Sequence, residues 1–227
     1  FDFKHGWTLV SGKNRAFPGK VDISDPRKLC IGRYSYFSGV SIIDGNGLVS
    51  IGSFCSIASD QYLFSSNKNH PYRYSSTFNF RSNSRVKKYH DNFEIDFEPD
   101  KLKIDEINIG NDVWMGRNCT IMNGVVISNG CVIGANSTVT EGTCSYGIYA
   151  GSPAKLIRYR FTDDIINFLL DIEWWNWSLD KIKRNHKFFN LTRTPPMISE
   201  LTIDCQYHGK EEISVKAGTF LCHRFSY

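Results

Sequence analysis

Large apolar residues recur at every sixth position through the middle of the chain, at Ile109, Met115, Ile121, Ile127, Ile133 and Val139. Four residues after each comes a small or β-branched residue, at Val113, Cys119, Val125, Cys131, Ser137 and Thr143. A six-residue period over so long a run is too short for stacked helices. It is typical of a parallel β-helix, in which each hexapeptide places one short strand on one wall of a prism. We expect the large residues to fill the narrow interior, with the small residues beside them.

The same period occurs in two earlier runs, Ile31–Phe37–Ile43 and Ile51–Ile57–Leu63. The spacing between Ile43 and Ile51 is eight, so we expect Asp44–Gly47 to bulge from one corner of the prism. Together the runs predict an all-β solenoid over residues 29–160, with roughly nine or ten coils.

The period is absent from residues 64–103 and resumes near Ile104 or Ile107. An interruption of roughly forty residues is long for a connection inside a compact domain, and such loops are usually functional or disordered. This one is rich in aromatic residues and carries His70 and His90, which argues against a disordered linker. We therefore predict an ordered loop that projects from the coil.

The segment after the coil has the spacing of helices. Thr162 is a suitable N-cap, and the two Asp residues that follow it suit the positive end of a helix dipole. Apolar residues then recur at helical intervals to about Ile172, and Ser178 can cap a second short helix through Asn185. Because the open end of a solenoid must be covered, we expect residues 161–190 to form a helical cap.

The two ends of the chain lack the hexapeptide period. Residues 1–28 form an N-terminal segment, and residues 191–227 form a tail that begins near Pro195–Pro196. In the tail, apolar residues alternate on both sides of Tyr207–Lys210, which predicts a β-hairpin of unassigned role. The chain begins with Phe1, so we expect further residues upstream.

Composition narrows the class of protein. A chain of 227 residues with 41% hydrophobic content can bury a core without disulfides or metal. The net charge of +4 is small and the basic residues are scattered, which gives little support to nucleic-acid binding.

Nothing in the sequence has the length of a membrane span or the pattern of a signal peptide. Cys55, Cys119 and Cys131 occupy small interior positions, so packing explains them better than disulfides or metal, and we expect a cytoplasmic protein.

Three motifs together resemble a known family. The segment Ile109–Gly116 is similar to the coil of hexapeptide-repeat acetyltransferases. Asn69–Tyr74 in the loop and Trp174–Trp177 after the first helix narrow the resemblance to the xenobiotic acetyltransferase branch, which includes streptogramin and hexapeptide-class chloramphenicol acetyltransferases. The resemblance covers the chain from about Leu29 to Asn185. It implies a left-handed coil, an exception to right-handed crossovers, and a homotrimer with active sites between subunits.

The resemblance also implies a reaction, the transfer of an acetyl group from acetyl-CoA to a hydroxyl. The hydroxyl must lose its proton as it attacks, and a neutral histidine is suited to accept it. The position that matches the family's loop base is His70. Without the resemblance, a loop histidine bonded to backbone groups would be the better interpretation. His90 is expected to be an accessory or surface residue.

Further site residues follow from the resemblance. The acetyl-CoA contacts that it implies are Trp114, Gly116, Gly134, Ala135, Thr140, Lys155 and Arg158. The acceptor contacts are Tyr36, Asn69, Tyr72 and again Trp114. Trp114 immediately precedes an interior position, so we expect its ring to point outward. Lys155 and Arg158 would meet phosphates as charges, with ordinary surface charge as the alternative interpretation. No metal is implied.

Other functions can be compared by the residues that they require. A β-helical carbonic anhydrase needs three histidine zinc ligands, and no His lies between His90 and His186, so this function is rejected. A non-catalytic scaffold would need neither His70 nor Trp114. N-acetylation of a nucleotide-linked amino sugar would use the same donor and base. The acceptor stays open between an antibiotic and a sugar or glycan, since aromatic side chains stack on both.

Overall fold

The computed structural model describes residues 7–9, 21–23, 29–39, 41–45, 47–65, 75–77, 106–189, 214–215 and 218–219. Three β-sheets form the walls of a prism. The first wall contains β1 (Trp7–Leu9), β3 (Leu29–Gly32), β6 (Val49–Ile51), β9 (Ile107–Ile109) and β12 (Val126–Ile127). The second contains β4 (Tyr36–Phe37), β7 (Ser56–Ile57), β10 (Trp114–Met115), β13 (Val132–Ile133), β15 (Gly147–Gly151) and β16 (Ala154–Tyr159). The third contains β2 (Val21–Ile23), β5 (Ser41–Gly45), β8 (Gln61–Ser65), β11 (Thr120–Ile121) and β14 (Thr138–Val139).

Neighbouring strands within each wall are parallel, except where β1 lies against β3 and β16 against β15. Trp114 pairs with Val132, 18 residues later, so one turn takes three hexapeptides. The prediction of a left-handed parallel β-helix followed by helices is confirmed. The coil has about four turns, so the expectation of nine or ten coils was wrong, because three repeats are needed to return to the same wall.

The interior follows the two periodic series. The large members are almost completely buried, and so are the small or β-branched residues Val113, Cys119, Val125, Cys131 and Ser137. At the corners the backbone turns through left-handed conformations, with φ of 58° at Asn118 and 59° at Asn136. Asn tolerates this region better than most residues. Two-residue strands and left-handed corners together explain why the period is six.

The eight-residue spacing does not produce the predicted bulge at Asp44–Gly47. Instead, β5 and β8 are five residues each and pair over their full length, so that Gly45 lies opposite Ser65. One turn therefore takes 20 residues in this part of the coil, since Ile31 pairs with Ile51. The long interruption lies between β8 and β9, and β9 returns to the first wall beside β6. The last strand before the interruption therefore lies on the third wall, and the first strand after it lies on the next wall in order.

The C-terminal segment forms α1 (Asp163–Ile172), a 3₁₀ turn (Trp174–Asn176), α2 (Leu179–Arg184) and α3 (His186–Phe189). Thr162 and Ser178 are the N-caps, as predicted, although only the Ser178 side chain makes the capping hydrogen bond, accepting from the Lys181 amide. In the tail, Ser214–Val215 (β17) pairs with Gly218–Thr219 (β18), while the predicted turn at Tyr207–Lys210 lies outside the described residues.

The helices contact one corner of the prism, where the first and second walls meet. That they cover its open end stays a prediction. The apolar face of α1 packs around Tyr146 on the last turn. The 3₁₀ turn reaches the early turns, where the Trp174 and Phe54 rings lie 4.9 Å apart. A ten-residue helix spans about 15 Å, close to the height of three strand spacings of about 4.8 Å. On the last turn, the side chain of Tyr149 is buried within the interior cluster.

Candidate active site

One outward row on the second wall brings together three of the predicted site residues. The register places Tyr36, Ser56, Trp114, Val132, Ile148 and Arg158 opposite one another on successive strands. With strands about 4.8 Å apart, Tyr36 lies two strands from Trp114, and Arg158 lies three strands beyond it. We call this set the Trp114 row. It runs the length of the coil on one face.

Trp114 is the most exposed aromatic residue described in the structure, at 56%. Its orientation follows from the alternation of a strand, because the next residue, Met115, points into the core with no exposed surface. Tyr36 is 40% exposed on the same face. Large aromatic rings left open to water are typical of binding surfaces, so this row offers a wall for a partly apolar ligand.

The corner between the second and third walls collects the predicted glycines. A Cβ added to Gly116 would lie 2.5 Å from the backbone nitrogen of Ala135, and one added to Gly134 would lie 2.9 Å from the Ala150 Cβ. The close approach of successive turns therefore explains both glycines without a ligand. Ala135, a residue with a small side chain, is exposed at the same corner.

The last turn brings Lys155 and Thr140 together. Lys155 pairs with Ala150 beside the glycine corner, and its Nζ lies 3.7 Å from Glu141 Oε2. Thr140, adjacent to Glu141, is exposed at the far edge of the third wall. Both members of the ion pair are largely exposed, so the pair is weak. The ammonium can therefore exchange its carboxylate for a phosphate at small cost.

Arg158 is exposed at the end of the Trp114 row, where its Nη1 donates to the carbonyl of Tyr159 at 3.1 Å. The structure thus brings Arg158 to the face that carries Trp114 and brings Lys155 to the glycine corner.

Asn69, His70 and Tyr72 lie outside the described residues. Their roles stay predictions.

Arg117, which was not predicted from the sequence, follows Gly116 at the glycine corner. Its Nε donates to Asp60 Oδ2 at 2.6 Å, and the hydrogen bond from this guanidinium lowers the pKa of Asp60. The two residues are far apart in sequence, so only the register of the coil brings them together. Their pairing places an exposed cation and an ionised carboxylate beside Ala135.

Two arginines, also not predicted from the sequence, bind the helical segment to the coil. Arg33 donates through Nη2 to the carbonyls of Trp175, at 2.7 Å, and Trp177. Arg160 Nη1 lies 3.1 Å from Asp112 Oδ2. These contacts give the Trp174–Trp177 motif a structural role. They hold the helices against the corner where the first and second walls meet, beside the Trp114 row.

The interior cysteines offer no nucleophile. Cys55, Cys119 and Cys131 are free thiols, and each lies within hydrogen-bond distance of a carbonyl, as Cys55 Sγ does at 3.1 Å from Gly110 O. Burial raises the pKa of all three, that of Cys55 to about 11. A thiol is nucleophilic only as the thiolate, so these thiols are inert at neutral pH. Their placement agrees with a packing role.

The described part of the chain contains neither a metal-binding cluster nor a membrane-spanning helix. Within those ranges, no group of three or more His, Cys, Asp or Glu side chains is arranged to hold a metal ion. Of the helices among the same residues, none combines the length and apolar character needed to cross a bilayer.

Comparison with known proteins decides the family. The model of the bacterial transferase hexapeptide (six repeats) matches residues 106–141. A chloramphenicol acetyltransferase of Klebsiella aerogenes is 37% identical over 188 residues, which cover 74% of this chain and 85% of that protein. The chain belongs to the hexapeptide-repeat xenobiotic acetyltransferases. It is therefore an acetyltransferase, and acetyl-CoA is its acetyl donor.

Two further relatives of this xenobiotic acetyltransferase cover less of its length. A probable macrolide acetyltransferase of Lysinibacillus sphaericus is 56% identical over 77 residues, 34% of this chain and 43% of that protein. The solved structure of a galactoside acetyltransferase in complex with coenzyme A is 28% identical, with a TM-score of 0.46 over 63% of this chain and 64% of that one.

Proposed function

We propose that this xenobiotic acetyltransferase moves the acetyl group of acetyl-CoA to a hydroxyl of an antibiotic or a sugar-containing acceptor, with His70 as the general base. The observation that carries the proposal is the Trp114 row. Its exposed rings form an apolar wall next to the corner where Ala135 is exposed, so an acceptor and the acyl end of the donor have adjoining places to bind.

The chemistry needs no covalent enzyme intermediate. The acceptor oxygen attacks the thioester carbonyl carbon while the His70 imidazole takes the hydroxyl proton. The tetrahedral intermediate then collapses, the carbon–sulfur bond breaks, and the leaving thiolate of coenzyme A takes the proton from the His70 imidazolium. A histidine that is neutral near pH 7 can serve both steps. The buried cysteines, whose pKa values are raised, agree with direct attack.

We propose that the active unit is a homotrimer with the site between subunits. An indole that is 56% exposed on a rigid wall is costly to leave in water, and a neighbouring subunit would cover it. The expected result of static light scattering at micromolar concentration is a particle of three chains. A stable monomer at that concentration would rule out a site shared between subunits.

The nucleotide end of the donor is proposed to lie near Lys155. Replacing Lys155 by Ala should weaken the binding of coenzyme A more than that of dephospho-coenzyme A, because the lost charge contact is to a phosphate. Isothermal titration calorimetry measures both affinities. Lys187→Ala, which removes an exposed lysine on α3, is the matched control and should leave both unchanged. Equal losses with the two ligands would place Lys155 away from the 3′-phosphate.

The acceptor is tested with a panel that contains chloramphenicol, a streptogramin A, a macrolide and simple pyranosides. Free coenzyme A is measured by its thiol, and products are identified by the added mass of one acetyl group. We expect acceptor-dependent release of coenzyme A with at least one hydroxyl acceptor. Acetylation confined to amines would instead support N-acetyl transfer, and tight coenzyme A binding without any turnover would support a scaffold.

A further inference from the structure

The outward face of the third wall carries a group of residues that the proposed site does not use. Because alternate residues of β5 and β8 point outward, Ile42 and Asp44 lie beside Tyr62 and Phe64, pair by pair. Asp44 is exposed, Ile42 is 44% exposed, and the two rings are half-buried. An aromatic and acidic group therefore occupies the wall directly before the long loop.

The geometry of this group is specific. The rings of Tyr62 and Phe64 are nearly parallel, with 17° between their planes and 6.1 Å between their centroids. Tyr62 Oη donates a hydrogen bond to Asp44 Oδ2 at 3.0 Å, and this bond raises the pKa of the Tyr62 hydroxyl. A carboxylate is thus held at the edge of two similarly oriented rings.

The Asp44 carboxylate beside the rings restricts which ligands this surface can bind. An apolar ligand would cover the Asp44 carboxylate and remove its hydration. Loss of hydration is unfavourable unless another group donates a hydrogen bond to the carboxylate. An anion would be repelled by it. A pyranose ring has one apolar C–H face for the rings and hydroxyl groups that donate to carboxylate oxygens. Such hydrogen bonds to a charged acceptor are stronger than neutral ones, and an ionised carboxylate has several acceptor sites besides the one used by Tyr62.

We propose that Tyr62, Phe64 and Asp44 form a binding platform for a pyranose ring of the acceptor. The proposal rests on the proposed function in that the sugar belongs to the molecule that is acetylated. Phe64 precedes the predicted base His70 by six residues, a span of at most about 20 Å when extended, so a sugar on the platform lies within reach of the loop. The sugar can belong to a glycan or decorate an antibiotic.

The kinetic test compares sugar-bearing and sugar-free acceptors. Tyr62→Ala and Phe64→Ala should each raise KM for a methyl pyranoside or a glycosylated macrolide about tenfold, with KM for acetyl-CoA and for chloramphenicol unchanged. Asp44→Asn should act in the same direction. Val126→Ala, which truncates an exposed apolar residue on the first wall, is the control and should alter nothing. An equal rise for sugar-free acceptors would overturn the platform, because it would reveal a general effect on folding.

A binding test does not depend on turnover. Saturation-transfer NMR of the full chain with methyl β-D-galactopyranoside, methyl α-D-glucopyranoside and maltose should show contact to ring protons, lost in Tyr62→Ala and kept in Val126→Ala. A macrolide and its sugar-free aglycone distinguish a drug-borne sugar from a glycan. Sugar binding without acetyl transfer to any acceptor would sink the proposed function and leave the platform standing. No binding of any pyranoside by the wild-type chain, or equal binding by Tyr62→Ala, would overturn the platform.

Discussion

Replacing His70 by Ala should lower kcat by about 10²- to 10⁴-fold while the affinity for acetyl-CoA stays nearly constant. The base acts on the acceptor hydroxyl in the transition state and contributes little to holding the donor. Steady-state kinetics with an acceptor identified by the panel, together with calorimetry for acetyl-CoA, measures both quantities. His90→Ala, the other histidine of the loop, is the matched control and should retain near-normal turnover. A His70→Ala variant with normal kcat would overturn the assignment.

The same mechanism predicts how activity depends on pH. The wild-type rate should rise as pH increases through the ordinary titration range of histidine, because only the neutral imidazole accepts a proton. Any residual activity of His70→Ala should lack this rise. A wild-type profile that is flat over this range would place the proton transfer on another group.

Substituting Gly116 by Ala should destabilise the fold by about 3 kcal/mol. The new Cβ would lie 2.5 Å from the backbone nitrogen and 2.9 Å from the Cα of Ala135. Both atoms belong to the next turn of the coil, which cannot rotate aside as a side chain would. The successive turns would have to separate locally, weakening the strand hydrogen bonds on both adjoining walls.

Gly142→Ala is the matched control for this substitution. Its Cβ would meet nothing closer than Val126 O at 3.5 Å, an ordinary contact, and it should be neutral or slightly stabilising because alanine restricts the unfolded chain. Urea denaturation at one protein concentration compares the midpoints, since the stability of an oligomer depends on concentration. If the two variants had the same midpoint as the wild type, Gly116 would not be required by packing, and a role in cofactor binding would regain support.

The strands and the core were predictable because a six-residue period places each apolar residue on a defined wall. The register was not, because the spacing of eight after Ile43 and the long loop after β8 change the number of residues per turn. For this reason the family resemblance could name three site residues, Tyr36, Trp114 and Arg158. The sequence could not place them in one row. The error in the number of coils has a different origin, since three hexapeptides make one turn.

The position of the helices could not be read from the sequence. The apolar face of α1 shows that the helix packs against something, but the pattern alone does not identify the surface. The contact that fixes the position of the helices is the hydrogen bond from Arg33 to the Trp175 carbonyl, which joins residues 142 positions apart. Arg33 and Arg160 are inconspicuous in the sequence, since single arginines are usually solvated surface residues. The pairing of Arg117 with Asp60 was hidden in the same way.

The central claim, direct transfer from acetyl-CoA to an acceptor, is tested most directly by rapid-quench measurement of free coenzyme A after mixing the protein with acetyl-CoA. Without acceptor, we expect no coenzyme A release in the first turnover and no acetylated protein by intact mass. Adding an accepted substrate should start a linear release that matches product formation. A burst of coenzyme A equal to the number of active sites in the absence of acceptor, with a protein one acetyl group heavier, would contradict the account.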